Sequence, residues 1–464
     1  MFVIISNQSK AKLFMQKLSF IEKINYGVGG LYNLSFSMIS TYLLVYYTDA
    51  IHMAPLFAGL VLTVSRAFDA VTDLSVGYLV DKYKHKKFGR TGLWLILSPI
   101  AIIVTIYLSF TIPVELSQTS KFVYALVTFS LLTLALTMAG IPYGSRATLI
   151  TDNPKERDQI STIRMVFTAL AAVLVGGLGP VLVVNMGEGD QGKGILMAAL
   201  IFGVITAISL WVSAFGTKER VKIENSDTLK IKDMLPIVKM LLKDKAFTAF
   251  AIYDLLLFSI FSLKTAIAIY YVNGVLQNPE ITGPFLLTLT VPMLPAMLLL
   301  SFIAHRFDKT KILKVFALIT ILGHIPLLFV ENVTSILILN VITTVGVAGG
   351  LGLIYAYSAE LVQHFHIKEK QYYGGIIMSF TNFIQKLSIA LVGVIVGVGL
   401  TLANYTAGTV SQQSITVISF IFIVAPILLT IAGVVPMIKN YTVKKVQESG
   451  IEENKLNEES LVDS

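Results

Sequence analysis

The stretch TKERVKIENSDTLKIKDMLPIVKMLLKDKAF, residues 217–247, is the longest polar break inside the chain, and what flanks it decides the fold. A helix that crosses the hydrocarbon core of a bilayer, about 30 Å thick, needs roughly 20 mostly apolar residues at a rise of about 1.5 Å each. Six runs meet that requirement before the break, at about 26–48, 54–80, 93–112, 122–149, 160–186 and 194–216. Six more follow it, at about 247–275, 283–304, 312–330, 334–362, 374–402 and 413–438. Lipid offers no partner for open backbone groups, so the runs are predicted as helices; a barrel would show shorter, alternating segments. The expected fold is therefore an all-α membrane protein of twelve transmembrane helices in two six-helix halves, 26–216 and 247–438. A cytoplasmic segment, 1–25, precedes them, a cytoplasmic loop, 217–246, joins them, and a cytoplasmic tail, 439–464, follows.

Composition agrees. Of 464 residues, 55% are hydrophobic and 14% charged, which is too apolar for a soluble chain of this length. The absence of cysteine excludes a disulfide framework and thiolate chemistry. A net charge of +8 raises the question of a nucleic-acid partner. The position of the basic residues argues against one. With the N-terminus inside, nearly all Lys and Arg fall in the cytoplasmic loops, and the external loops hold only Lys121 and Lys193. Such asymmetry sets topology beside an anionic leaflet rather than building one basic face. The first 24 residues mix lysines with apolar residues and lack a signal-peptide core and cleavage site, so the segment is expected to be retained. The tail IEENKLNEESLVDS is polar and acidic and is expected to be disordered. DKYKHKK after the second span and HRFDKTK after the eighth occupy equivalent places in the two halves, which suggests duplication. Two six-helix halves joined by a cytoplasmic loop match the major facilitator plan, with a substrate site near the bilayer middle.

The second span and the loop after it read RAFDAVTDLSVGYLVDKYKHKKFGR, residues 66–90. An ionised side chain at a helix centre costs roughly 2.5–3.5 kcal/mol even on the lenient insertion scale. Arg66, Asp69, Asp73, Arg164, Asp254, Lys264 and Lys386 all fall within spans, so together they must face one another or water. At about 100° per residue, Asp69 and Asp73 sit one turn apart, and Arg66 lies on nearly the same face. Two carboxylates this close repel unless a cation lies between them, which suits the pair to bind Na⁺, Li⁺ or a proton. Arg66 would offset part of their charge. The alternative is a buried ion-pair network that only locks helices. Asp254 and Lys264 lie ~15 Å apart along their helix and ~80° around it, so each needs a partner elsewhere. Lys386, alone in FTNFIQKLSIAL, either snorkels to the interface or reaches the acidic stripe or the substrate. Beyond the membrane, Asp81 and Arg90 are candidates for a gating latch on the cytoplasmic face.

Other features carry less chemistry. GVGGLY and GVAGGLG lie within spans, where small residues allow close helix packing, and neither has the context of a phosphate loop. His364 and His366 make a single H-x-H, too little for a metal site, and His324 reads as a packed or pore-lining residue. No Ser-His-Asp spacing or H-E-x-x-H motif occurs, so an enzyme is not expected.

The R-x-x-D-A-x-x-D core at 66–73, followed by G-x-x-x-D, a basic loop and G-R, resembles the second-helix signature of the glycoside-pentoside-hexuronide:cation symporters, the melibiose permease group. Four more segments agree in order: YGVGGLYNLSFSMISTYLLVYYTDAI from Tyr26, GIPYGSRATLITDNPKERDQISTIRM from Gly140, LKTAIAIYYVNGVL around Lys264, and YYGGIIMSFTNFIQKLSIAL from Tyr372. The similarity runs over most of residues 26–400. It implies a transporter that couples sugar or glycoside movement to a cation. By matching position it implies that Asp69 and Asp73 bind the cation, that Thr137 helps coordinate it, and that Lys386 links the cation site to the substrate. Asn33, Tyr143 and Arg164 match positions at the sugar pocket; Tyr26, Lys264 and Asp254 join them as substrate-site candidates. The chain departs from the family where Leu34 and Gly140 stand in place of two galactoside-binding aspartates, which argues against a galactoside. Gly92 and Leu93 replace the Arg-Pro after the basic loop, and AELVQ keeps only Glu360 of an acidic segment, leaving it as a charge-network candidate.

The expectation is thus a bacterial plasma-membrane symporter with both termini in the cytoplasm, monomeric, with a small-molecule substrate, no nucleic-acid partner, no cofactor and no metal beyond a coupling Na⁺ or H⁺. A uniporter or exporter of another solute or lipid-like cargo, and a non-transporting receptor, stand as alternatives.

Overall fold

The computed structural model describes residues 18–82, 85–151, 153–221, 231–303, 306–369, 374–406 and 411–440. Segment 1–17 and the acidic tail beyond 440 lie outside the described residues. Twelve long helices follow in order: α1 Phe20–Ala50, α2 Pro55–Lys82, α3 Gly92–Ser109, α4 Gln118–Ile150, α5 Pro154–Gly187, α6 Gln191–Gly216, α7 Lys245–Val275, α8 Pro279–Leu300, α9 Lys309–Leu328, α10 Val333–Glu369, α11 Gly374–Leu402 and α12 Gln412–Asn440. Among the described residues, eleven are long and apolar enough to cross a membrane. The twelfth, α2, is 28 residues long and interrupts its own apolar run with Arg66, Asp69 and Asp73. Large apolar side chains lie exposed around the helices, among them Phe329 (80%), Val184 (74%) and Met165 (70%). Such a surface is stable only against lipid.

Helix starts fall where short polar side chains can take up free N–H groups. Ser19 accepts from Glu22 N, Ser117 from Ser120 N, Asp190 from Lys193 N, and Asp308 from Thr310 N and Lys311 N. The polar break at 217–246 holds a further helix, Ile231–Lys243. Its apolar residues recur every three to four positions, so one face is greasy although the segment as a whole is polar. Leu241 is buried in a core with Phe247, Phe250 and Phe365, and Ile237 and Val238 pack against it.

The chain forms two compact units. The first comprises residues 1–226 with 268–290 and 393–414; the second comprises 227–267, 291–392 and 415–464. In the first unit the bundle has a near end, at Ser19, and a far end, at Ala50. At the near end Arg220 grips Glu22 with both nitrogens, at 2.7 and 2.9 Å. At the far end the Lys121 ammonium donates to Ile51 O (2.6 Å), placing a cation at the C-terminus of α1, where the helix dipole favours it. The far ends of α7, α8 and α11 belong to this unit too. The hydroxyls of Thr48 and Tyr270 meet at 2.7 Å, and Tyr405 donates to Asp49 at 3.1 Å. Gly59 of α2 crosses Gly393 and Gly397 of α11 at backbone contact: a Cβ on Gly59 would stand 2.4 Å from Gly393 O. The G-x-x-x-G spacing on α11 is what allows this approach.

The second unit is built around Phe247, Phe250, Tyr253, Tyr357 and Phe365. Its glycines let helices close: a Cβ on Gly349 would stand 2.2 Å from the Phe316 ring. Asp244 caps α7 by accepting from Ala246 N and Phe247 N, while its other oxygen accepts from His364 Nε2 (3.3 Å) and Lys368 Nζ (2.7 Å).

Candidate transport site

In the first unit α2 and α4 run side by side through a seam of small polar residues. The Ser65 and Ser130 hydroxyls meet at 3.2 Å, and two turns on, Thr137 reaches the acidic stripe. Thr137 Oγ1 lies 2.8 Å from Asp69 Oδ1 and 3.0 Å from Asp73 Oδ1. Arg66 NH1 stands 3.6 Å from Asp69 Oδ2, and its guanidinium lies over the rings of Phe36 and Phe129 at 5.5 and 5.8 Å. Asp69 is 3% exposed, whereas Asp73 is partly open. The opposite face of α2 presents Val64, Phe68 and Leu79 outward. Geometry therefore joins Arg66, Asp69, Asp73 and Thr137. One hydroxyl hydrogen can serve only one of two carboxylate oxygens at a time. Three oxygens, one each from Asp69, Asp73 and Thr137, converge where a small cation can be held.

A second cluster in the same unit gathers Tyr26, Tyr143, Arg164 and Asn33. The Tyr26 and Tyr143 rings stack at 5.0 Å, and Tyr143 OH donates to Tyr26 O at 2.7 Å. Arg164 lies 5.0 Å from the centre of the Tyr143 ring. Asn33 Nδ2 donates to Gly30 O and Thr168 Oγ1. Tyr32, which the sequence reading missed, packs edge-on to Tyr143 at 5.7 Å. Its hydroxyl would stand 3.3 Å from a Cβ at Gly140. Leu34 is fully buried. Neither of the two positions that depart from the galactoside pattern therefore offers a free carboxylate-like reach into the cluster. Tyr26 and Tyr143 are fully buried behind Tyr32, Asn33 and Arg164, which keep part of their surface open.

In the second unit Lys264 and Asp254 are buried and do not pair with each other. Lys264 Nζ donates to Asn340 Oδ1 and Thr343 Oγ1, both at 2.7 Å, and lies 4.9 Å from the centre of the Phe422 ring. Asp254 accepts from Gln385 Nε2 at 3.5 Å, and its Oδ2 has no hydrogen-bond partner. Lys386, next in sequence to Gln385, is half-buried on α11. Glu360 pairs with Lys309 at 2.5 Å. His324 is packed, its Nδ1 2.7 Å from Thr320 O. His366 has a side chain outside the described residues, as does Asp81 of the latch. Arg90, the other member of the latch, has its backbone N–H held by Glu219 Oε2 at 2.9 Å.

The main residue that sequence reading missed is Arg146, which lies four residues before the end of α4. It is buried and fans across the near end, donating to Thr217 Oγ1 and Thr91 Oγ1 at 2.7 Å, to Ala214 O and Thr217 O at 2.9 Å, and to Glu219 at 3.4 Å. An arginine within one turn of a span end, with a glutamate just beyond another, was the available signal.

The family model described as MFS/sugar transport protein matches residues 25–445. The chain belongs to that family. It is accordingly a multi-pass membrane transporter with the major facilitator fold, not an enzyme. An uncharacterized symporter of Bacillus subtilis, YnaJ, is 30% identical over 401 residues, covering 85% of each chain. The putative glycoside/cation symporter YagG of Escherichia coli K12 is 28% identical over 443 residues, covering 92% of this chain and 93% of its own. Among solved structures, the inward-facing, unoccupied bacterial homologue of the human lysosomal transporter Spinster superposes with a TM-score of 0.69 at 11% identity, over 93% of this transporter and 98% of the homologue.

Proposed function

We propose that the protein moves a sugar or glycoside across the plasma membrane in symport with Na⁺ or H⁺, by alternating access, with both termini in the cytoplasm. The observation that carries this reading is the Thr137 hydroxyl set 2.8 and 3.0 Å from two carboxylates one helical turn apart. In this reading a cation enters between Asp69, Asp73 and Thr137, while Arg66 holds part of the charge when the cation is absent. Cation binding favours the state that accepts the sugar, because the ion relieves a repulsion that otherwise works against closure. Asn33, Tyr26, Tyr143 and Arg164 are the substrate-site residues of the first unit, and Lys386, Lys264 and Asp254 those of the second. Asp81 and Arg90 are the residues for gating, and Glu360, paired with Lys309, belongs to the charge network. The resemblance to glycoside/cation symporters and the similarity to the putative glycoside/cation symporter of E. coli support this choice of cargo.

The test is sugar uptake into vesicles under imposed Na⁺ and H⁺ gradients. Asp69→Asn and Asp73→Asn should each lose accumulation against a gradient while exchange of preloaded sugar persists. Wild-type transport indifferent to both gradients overturns coupling.

A further inference from the structure

Within α1 the winding tightens at Gly29–Tyr32, a 3₁₀ turn between the α-helical stretches Phe20–Val28 and Asn33–Val45. Such a stretch inside a longer helix often marks a functional hinge. Two glycines let it press against its neighbours: a Cβ on Gly29 would stand 2.5 Å from the Tyr143 ring, and one on Gly30 2.6 Å from Arg164 O. The last residue of the turn, Tyr32, leans over Gly140 of α4. A Cβ at Gly140 would meet Tyr32 first, its hydroxyl at 3.3 Å and its ring at 3.6 and 3.7 Å.

This contact lies on the side of α4 turned away from lipid. Leu131, exposed on the outer surface, is about 180° around the helix from Gly140, at about 100° per residue. Thr137, which reaches Asp69 and Asp73, precedes Gly140 by one turn, about 4.5 Å along the axis. Tyr32 therefore touches the Tyr143 ring of one cluster while its hydroxyl stands one turn from the hydroxyl at the centre of the other. Both the Arg164 guanidinium and the Asp73 carboxylate act electrostatically on it.

The other hydroxyls of the tyrosine cluster are engaged: Tyr143 OH donates to Tyr26 O at 2.7 Å, and Tyr26 OH to Tyr143 O at 3.4 Å. Tyr32 is half-buried, and among the described residues its hydroxyl has no hydrogen-bond partner. A phenol both donates and accepts, so it complements a ligand hydroxyl, which does the same.

We propose that the Tyr32 hydroxyl binds a hydroxyl of the transported sugar and ties occupancy by sugar to occupancy by the cation, with Gly140 making room for it. While Asp73 is uncompensated, its charge draws the Tyr32 O–H dipole toward the acidic stripe; a bound cation cancels that pull and frees the hydroxyl for the sugar. The inference rests on the symport reading above and adds the residue through which the two ligands act on each other.

The test is initial uptake of labelled glucose, xylose, lactose and sucrose into vesicles, at low and at saturating Na⁺ and at two pH values. For a sugar that the wild type carries, Tyr32→Phe should raise KM about fivefold, the effect of losing one hydrogen bond between neutral groups. The factor by which saturating cation lowers KM should fall toward one, a change that a merely structural role would not produce. Gly140→Ala crowds the hydroxyl and should raise KM at least twofold in the otherwise wild-type chain. In the Tyr32→Phe background it should have no further effect, because the ring atoms keep ordinary contact with the new methyl. Gly140→Ala, which leaves Tyr32 in place, carries the test if Tyr32→Phe unfolds at lower temperature in detergent. An unchanged KM and cation dependence in Tyr32→Phe, or in Gly140→Ala where that variant carries the test, overturns the inference and leaves symport standing, as do effects of the two substitutions that multiply in the double variant. Wild-type uptake that ignores both ions, or uptake of none of the sugars, overturns the symport reading and with it this role for Tyr32.

Discussion

Thr137→Val removes the hydroxyl between the two carboxylates and keeps the shape of the side chain. A hydrogen bond to a charged group is worth about 1.5–3 kcal/mol, and about 1.4 kcal/mol is a factor of ten. In the cation-free state the hydroxyl stabilises ionised Asp69 or Asp73 from 2.8 and 3.0 Å. Its loss destabilises that state, so if the coupling ion is a proton the valine variant should reach half-maximal uptake at a lower proton concentration. If the ion is Na⁺, the hydroxyl oxygen is one of its few ligands. Losing a group that supports an ion typically costs about 10- to 100-fold in affinity, so half-saturation by Na⁺ rises by that factor. The sign of the change thus names the ion. The assay is initial sugar uptake in vesicles as a function of Na⁺ at fixed pH and of pH without Na⁺, with Thr137→Ser as the variant that keeps the hydroxyl. Dependence on both ions within twofold of wild type in Thr137→Val, or a serine variant as impaired as the valine one, refutes the role given to this hydroxyl.

Three further outcomes follow from the packing. Arg146→Met strips five hydrogen bonds from the near end and leaves Glu219 without its buried cationic partner; removing one member of such a pair costs about 3–5 kcal/mol, so this variant should show a much lower unfolding temperature in detergent than Arg146→Lys. Burial alone would raise the Asp244 carboxyl, but hydrogen bonds from His364, Lys368 and the Phe247 N–H outweigh it and hold the group below the usual carboxylate range. A lowered carboxyl contributes stability above its unfolded value, near pH ~4, and loses it as pH falls through the folded value. Asp244→Asn should therefore unfold at lower temperature than wild type at pH 7, and the difference should shrink in thermal scans below pH ~4. Gly59→Leu forces a side chain into the 2.4 Å gap to Gly393 O and should separate the far ends of α2 and α11, raising the maleimide reactivity of Leu62→Cys; an unchanged rate would show that the crossing does not depend on the glycine.

Much of this molecule is written locally. The positions of α1 to α12 follow from apolar runs, since each must cross the same thickness of lipid, and the observed ends fall within seven residues of the expected ones. The Arg66, Asp69, Asp73 stripe is also local, because helical spacing alone puts the three on one face. The helix Ile231–Lys243 was harder to see: its net polarity masked a one-sided apolar pattern.

The partners across helices were not legible in this way. That Thr137 meets Asp69 and Asp73, that Tyr26 stacks on Tyr143, and that Lys264 finds Asn340 and Thr343 depend on which helices neighbour one another and in what register. No spacing along one helix contains that information. Arg146 shows the same division. Its position near a span end fits a residue that snorkels to water, and only the fold brings Thr91, Ala214 and Thr217 around it. The sequence by itself determined that the chain crosses the membrane and where it must pay for buried charge, because both depend on the polarity of consecutive residues. The tertiary structure decided how each charge is satisfied, because hydrogen bonds are properties of distances between helices that are far apart in the chain.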